Sequence, residues 1–318
     1  MMKIVLLEPL GVPKEKIESL AVPFVEAGHD FTPYYTLAAD ESEQLERVKN
    51  ADVIIMANHP LTAEVIEKCE KLKYISVAFV GIDHIGKAAC QAKGINISNA
   101  AGYCDDAVAE LSVGLAMDCL RNISAVNGVI RHGGTKDGLV GHELRGRTVG
   151  IIGTGRIGRA TAKLFKAFGC SLIGYSRTLR DEAESEGIHY VSLDDLLKQS
   201  DIVTVHTPLT DETKNLISRE KIALMKESAI LINTSRGPVV DNAALAEALS
   251  EGRLAGAGID VFDAEPPLPE DYPLLHAKNA VCTPHVGFAT VESIDRRAEI
   301  VFDNVARWME GIVQNKML

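Results

Sequence analysis

The sequence predicts an α/β protein built from two doubly wound parallel-sheet domains, the second inserted into the first. Three observations carry this. Short Val/Ile-rich runs alternate with longer amphipathic stretches, the rhythm of parallel strands covered by helices. That rhythm is interrupted at Asn99-Ala100-Ala101-Gly102 and then starts again. The second series opens on Gly153-Thr154-Gly155-Arg156-Ile157-Gly158, a glycine-rich turn directly after an apolar run. At 318 residues, two cores are also the natural expectation.

Taken in order, Lys3–Leu7, Ala51–Ala57, Lys73–Phe79 and Ile95–Ser98 are expected strands, with helices such as Lys14–Ala27 and Thr62–Lys68 between them. The small residues at 99–102 predict a hinge. Asp105 or Asp106 is then a candidate helix cap, because Ala107/Val108, Leu111, Leu115 and Cys119 follow on one stripe at helical spacing. The second series comprises strand Thr148–Ile152, helix Arg159–Phe168 and strands Ser171–Tyr175, Ile202–His206, Ala229–Asn233, Ala257–Val261 and Ala280–Thr283. A last amphipathic helix, Ile294–Met309, has Ile300, Val301, Val305 and Trp308 as its apolar side and is expected to return to the first domain. The expected division is 1–98 plus 288–318 for the first domain and 99–287 for the second.

Composition narrows the function. The 33 basic and 44 acidic residues give a net charge of −11, which repels nucleic acids and anionic membranes. No apolar run approaches the ~20 residues of a bilayer span, and Met1–Leu7 is too short an apolar stretch for a signal peptide. The six cysteines show neither CxxC nor metal-ligand spacing, so no metal is expected and reduced thiols in the cytoplasm are.

A G-x-G-x-x-G pattern alone is weak. Between a strand and a helix it becomes the dinucleotide fingerprint of a Rossmann domain. Gly153 permits the tight turn, Gly155 lets backbone approach a pyrophosphate, and Gly158 lets helix and strand pack; the helix N-terminus offers unpaired N–H groups to phosphate. The next strand normally ends in an acid that binds the adenosine ribose, about 20 residues on. Here it ends Tyr175-Ser176-Arg177-Thr178. Ser176 and Arg177 can bond a 2′-phosphate that a carboxylate would repel, so the expected cofactor is NADP, or NAD and NADP together.

Three ionisable residues follow successive late strands: Arg236, Glu265 and His285. In a parallel sheet their loops gather at the carboxyl edge, where ligands bind. An Arg holds a carboxylate bidentately. A His passes a proton either way near neutrality, and a paired Glu favours its protonated form and fixes its ring. Singly, each could be an ordinary surface charge; together, beside a dinucleotide turn, they form a chemical set.

With these motifs the chain resembles the D-isomer-specific 2-hydroxyacid dehydrogenases over nearly its whole length. The resemblance is carried by Val80-Gly81-Ile82-Asp83-His84-Ile85, Asn99-Ala100-Ala101-Gly102-Tyr103, Ala107-Val108-Ala109-Glu110, His206-Thr207-Pro208-Leu209-Thr210, Ile232-Asn233-Thr234-Ser235-Arg236-Gly237, Gly258-Ile259-Asp260-Val261-Phe262, Glu265-Pro266 and Thr283-Pro284-His285-Val286-Gly287. It implies reduction of a small 2-oxo acid to the D-2-hydroxy acid, or the reverse. Arg236 would clamp the substrate carboxylate and His285, held by Glu265, would be the acid/base. Backbone amides around Phe79, Val80 and Gly81 would help bind that carboxylate. Arg156, Ile157, Thr207, Pro208 and Thr213 would border the cofactor, with Thr234 and Asp260 at its nicotinamide end and His206 structural. A homodimer is also implied.

The missing acid at Ser176 departs from the family's usual pattern and puts strict NAD use in doubt. Members acting on 3-phosphoglycerate tend to carry an Arg just before the Gly81 match, whereas Ser76, Val77, Ala78 and Phe79 supply no cation. With few residues expected after the second domain, no regulatory domain is expected. An unphosphorylated substrate such as glyoxylate or hydroxypyruvate is therefore expected. The alternatives are a 3-phosphoglycerate dehydrogenase, a dinucleotide-sensing interaction protein on the same scaffold, or a dehydrogenase of formate or phosphite type.

Overall fold

Every strand pairing is parallel, and the interior strands are largely apolar, as sheets covered on both faces require. The computed structural model describes all 318 residues. It divides into two units, Met1–Tyr103 with Ala289–Leu318, and Cys104–Phe288.

The first unit runs β1 (Lys3–Leu6), α1 (Lys14–Glu26), β2 (Asp30–Pro33), α2 (Glu41–Val48), β3 (Val53–Met56), α3 (Ala63–Lys68), β4 (Tyr74–Val77), α4 (Lys87–Lys93) and β5 (Asn96–Asn99). Its five-stranded sheet has the order β2-β1-β3-β4-β5, the flavodoxin-like winding. The second unit runs α5 (Asp105–Arg121), α6 (Ile123–Arg131), β6 (Thr148–Ile152), α7 (Arg156–Ala167), β7 (Ser171–Tyr175), α8 (Asp181–Ser185), β8 (Ile188–Tyr190), α9 (Leu193–Gln199) and β9 (Ile202–Val205). It continues through α10 (Arg219–Ile222), β10 (Ile230–Asn233), α11 (Asn242–Ser250), β11 (Gly256–Ile259) and β12 (Ala280–Cys282). The chain then returns to the first unit as α12 (Val291–Met309). The second sheet has the order β12-β11-β10-β9-β6-β7-β8, so its winding reverses between β6 and β9.

β2 and β8 were not expected from sequence. Both are edge strands, and β2 has no fully buried residue, so neither leaves an apolar signature. The expected aspartate cap of α5 is corrected: Cys104 is the cap residue, and Asp105 and Asp106 lie in the first turn, where their charges favour the positive end of the helix. α7 begins at Arg156, three residues before the expected start, because Gly155 is already the cap residue. α12 begins at Val291, since Thr290 accepts a hydrogen bond from the Ser293 amide and starts the helix early. The hinge residues also stay with the first unit. The Ala100 amide donates to Phe79 O, the Phe79 and Tyr103 rings meet edge-on, and Arg296 donates to Tyr103 O.

α12 completes the first unit's core. Its Trp308 stacks on Tyr74 at 4.8 Å between ring centroids, and Asn304 donates to Asn99 O. Of its expected apolar side, Val301 and Val305 are fully buried.

Candidate active site

The glycine turn leaves β6 at the point where the second sheet's winding reverses. Gly153 has φ +93°, which L side chains rarely adopt, and a Cβ there would lie 2.7 Å from His206 O. A Cβ on Gly158 would lie 2.0 Å from Gly153 O, so α7 approaches the turn only because that position has no side chain. Gly155 faces open space, with nothing within 4 Å of a built Cβ. The first N–H groups of α7 also lack a side-chain cap. Beside the turn, Thr207 Oγ1 is buried without a hydrogen-bond partner. Open backbone, an uncapped helix and an orphaned hydroxyl together fit a dinucleotide pyrophosphate.

The surrounding loops place the other expected cofactor residues differently from one another. Ser176 is half-buried at the end of β7. Arg177 is exposed and donates to Glu212 at 2.6 Å. Arg156 is pulled aside by Asp105 of α5, also at 2.6 Å, and Ile157 is half-buried in the first turn. Thr213 donates to Pro208 O and thereby ties down its own loop. The Thr234 hydroxyl bonds the Ser112 hydroxyl of α5 at 2.8 Å, fastening the loop after β10 to that helix. His206 bonds Thr204 Oγ1, while its buried Nδ1 has no partner. Desolvation pushes its pKa down to about 3, so the ring stays neutral, as a structural residue would.

The loop after β10 is shaped by Asn233, whose side chain accepts from Ser235 N and donates to Arg236 O. Gly237 then presses on the next loop: a Cβ there would lie 1.8 Å from Phe262 O. Arg236 donates to its neighbour Ser235 O and is half-buried.

Glu265 and His285 meet directly. His285 Nδ1 lies 2.8 and 3.0 Å from the two Glu265 carboxylate oxygens. The imidazole is 24% exposed and its ring packs edge-on against Phe288. His285 has φ 56°, a strained conformation for a non-glycine residue. What holds it there is Asp260, which is 1% exposed. One carboxylate oxygen accepts from Thr283 Oγ1 and Val286 N, the other from Gly287 N, and the backbone oxygen accepts from His285 N. Asp260, expected at the nicotinamide end, thus has its side chain wrapped by the His285 loop. Gly287 permits that wrap, since a Cβ there would lie 3.1 Å from Asp260 Oδ2. Sequence reasoning missed Thr283, Ser112 and Glu212, whose roles depend on which loops become neighbours.

In the first unit, the Phe79–Gly81 loop leaves the carboxyl end of β4. Asn99 donates to Val80 O, and the Val80 and Gly81 amides make no hydrogen bond within the chain. Residues 76–79 bring no cation, but Arg297 of α12 lies 5.0 Å from the Phe79 ring centroid. That guanidinium donates to Leu10 O, and its charge acts on buried Glu8, whose pKa is raised by desolvation. Glu8 in turn accepts from the amides of Ala57 and His59.

Comparison with known proteins follows the same lines. Residues 113–287, more than half of the chain, match the family model "D-isomer specific 2-hydroxyacid dehydrogenase, NAD binding domain". A glyoxylate reductase of Thermococcus litoralis is 42% identical over 277 residues, 84% of this chain and 83% of the relative. A D-3-phosphoglycerate dehydrogenase of Methanocaldococcus jannaschii is also 42% identical over 85% of this chain, which spans about half of that relative's length (52%). Among solved structures, an acyclic imino acid reductase in complex with NADPH and D-Arg superposes with a TM-score of 0.89 at 28% identity, covering all of both chains. No helix is long and apolar enough to cross a membrane. The chain belongs to the D-isomer-specific 2-hydroxyacid dehydrogenases, oxidoreductases that act on a CH–OH group with a nicotinamide dinucleotide.

Proposed function

We propose that the protein reduces a small unphosphorylated 2-oxo acid, of the glyoxylate or hydroxypyruvate class, to its D-2-hydroxy acid, and runs the reverse oxidation. The observation that carries this is the Glu265–His285 contact, seated on a strained backbone at the carboxyl edge of the dinucleotide sheet. With Nδ1 bonded to a carboxylate, Nε2 is the atom left to give a proton to the substrate oxygen during reduction and to accept it in oxidation. Arg236 holds the substrate carboxylate through its planar fork. The vacant Val80 and Gly81 amides suit the same kind of anionic group. The chemistry supplied by the bound dinucleotide is a hydride, delivered to C2.

Binding of that dinucleotide falls to Gly153, Gly155 and Gly158 with the α7 N-terminus, and to the Thr207–Thr213 loop. Ser176 and Arg177 make NADP(H) usable alongside NAD(H), because the strand end carries no acid to repel a 2′-phosphate. The preference for an unphosphorylated substrate is supported by residues 76–79, which add no charge.

The deciding experiment is a panel of 2-oxo acids, including phosphorylated ones, assayed with NADH and NADPH. Hydride transfer to glyoxylate or hydroxypyruvate is expected. Turnover confined to a phosphorylated acid would overturn the substrate reading, and inactivity throughout would overturn the enzyme reading.

A homodimer is proposed through α6 and the segment after it. No residue of α6 is buried, and Ile123, Ile130 and Val140 are 49%, 67% and 79% exposed. Such apolar exposure marks an association surface. Sedimentation of Ile130→Asp beside the unaltered protein tests this; two monomers, or two dimers, would exclude the surface.

A further inference from the structure

We infer that Glu212 is a specificity-determining residue that opposes NADP binding by occupying Arg177, so that the chain's cofactor choice is set by a pair and not by the strand-end residue alone. The inference rests on the reading that Arg177 meets the adenosine 2′ position.

Topology makes Glu212 relevant. β7 and β9 flank β6 on either side, so the loops that follow them stand on either side of the glycine turn. Arg177 comes from the first loop and Glu212 from the second. Their side chains join at 2.6 Å, linking the two loops beside the end of β6. The Thr207–Thr213 loop has a defined shape of its own. Thr213 Oγ1 donates to Pro208 O, the Thr210 and Thr213 hydroxyls bond each other, and the Thr213 and Lys214 amides donate to Thr210 O. Glu212 is therefore presented from a structured turn, although its side chain is 70% exposed.

Two effects follow for a 2′-phosphate approaching Arg177. The guanidinium donor bonded to Glu212 must be shared or surrendered. In addition, a carboxylate within hydrogen-bond distance of the guanidinium stands about 5–6 Å from any anion on that group's other edge, and a phosphate of charge near −2 is repelled there even through water. A ribose bearing a free 2′-hydroxyl meets neither penalty, since it is uncharged and Ser176 can still bond it. Glu212 thus supplies from a neighbouring loop part of the discrimination that a strand-end acid supplies in the usual dinucleotide-binding fold. The predicted outcome is dual cofactor use with restrained NADP affinity.

The test uses binding by the whole protein, without turnover. Calorimetry with 2′,5′-ADP and with 5′-AMP isolates the 2′-phosphate, for the unaltered chain, Glu212→Gln and Arg177→Ala. Because both side chains are largely exposed, neither change threatens folding, and circular dichroism checks this. Glu212→Gln should tighten 2′,5′-ADP by roughly three- to fivefold and leave 5′-AMP within about twofold, while Arg177→Ala should weaken 2′,5′-ADP alone. If Arg177→Ala weakens 2′,5′-ADP but Glu212→Gln changes nothing, the role of Glu212 is wrong and that of Arg177 survives. If Arg177→Ala has no effect on 2′,5′-ADP, the underlying placement of Arg177 fails and the inference with it. Loss of 5′-AMP binding in Glu212→Gln would also overturn it, by making Glu212 a general adenosine contact.

Discussion

The loop that carries His285 and the rim that carries Arg177 lie on one sheet and are held in opposite ways. Around His285, a buried carboxylate with three donors fixes a backbone conformation that would otherwise cost about 1–3 kcal/mol. At the rim, two long side chains meet in water, where an ion pair contributes about 0–1 kcal/mol and is screened by salt. Proton transfer demands an atom placed to within a fraction of an ångström. Choosing between two cofactors demands only a difference in charge. The comparison teaches that position is enforced by buried bonds, whereas preference can be left to exposed ones.

The sharpest break of the tightly held side is His285→Ala. Turnover should fall by at least ~10²-fold, the usual loss when a general acid is removed; steady-state kinetics showing only a few-fold change would mean that another group gives the proton. Asp260→Asn should come next. It preserves shape but points N–H groups at donors already present, which strains the Thr283–Gly287 wrap and costs about 1–3 kcal/mol of stability. The expected kinetic loss is roughly tenfold or more in kcat with less change in dinucleotide affinity, since the cofactor rim is built elsewhere. An equal loss of cofactor affinity would make Asp260 chiefly a ligand contact.

The smallest effect sharpens the comparison through pH. His206 is held neutral, with its pKa at about 3 against an ordinary value near 6.5. Below pH ~6.5 the unfolded chain binds a proton that the folded chain refuses, so this stability is fully present above that value and drains away as pH falls towards 3. Urea titrations of His206→Asn should show a shallower loss, by up to ~1.4 kcal/mol per pH unit between about pH 6 and 4. Parallel curves would mean that the ring titrates normally.

Much of the fold was legible because central parallel strands are apolar throughout. β6 and β7 coincide with their expected bounds, and the other interior strands shift by a residue or two. Edge strands β2 and β8 escaped because half-solvated backbone needs no apolar pattern. The glycine turn was legible because it joins a strand end to a helix start, and the Glu265–His285 pair because two ionisable residues follow successive late strands. What sequence could not show is which neighbours occupy the assigned groups. Thr234 bonds Ser112, Arg156 bonds Asp105 and Arg177 bonds Glu212, and each partner is distant along the chain and ordinary in composition.

The return of α12 has a consequence for biosynthesis. Tyr74 and Ser76 pack against Trp308 and Val301, residues more than 200 positions later in the chain. As the polypeptide leaves the ribosome, the first sheet therefore waits with β3 and β4 uncovered on one face while residues 104–290 are made, on the order of 10–40 s. Truncation within α12 should therefore yield insoluble protein, read as loss from the soluble fraction on expression, even though every residue of the dinucleotide sheet is present.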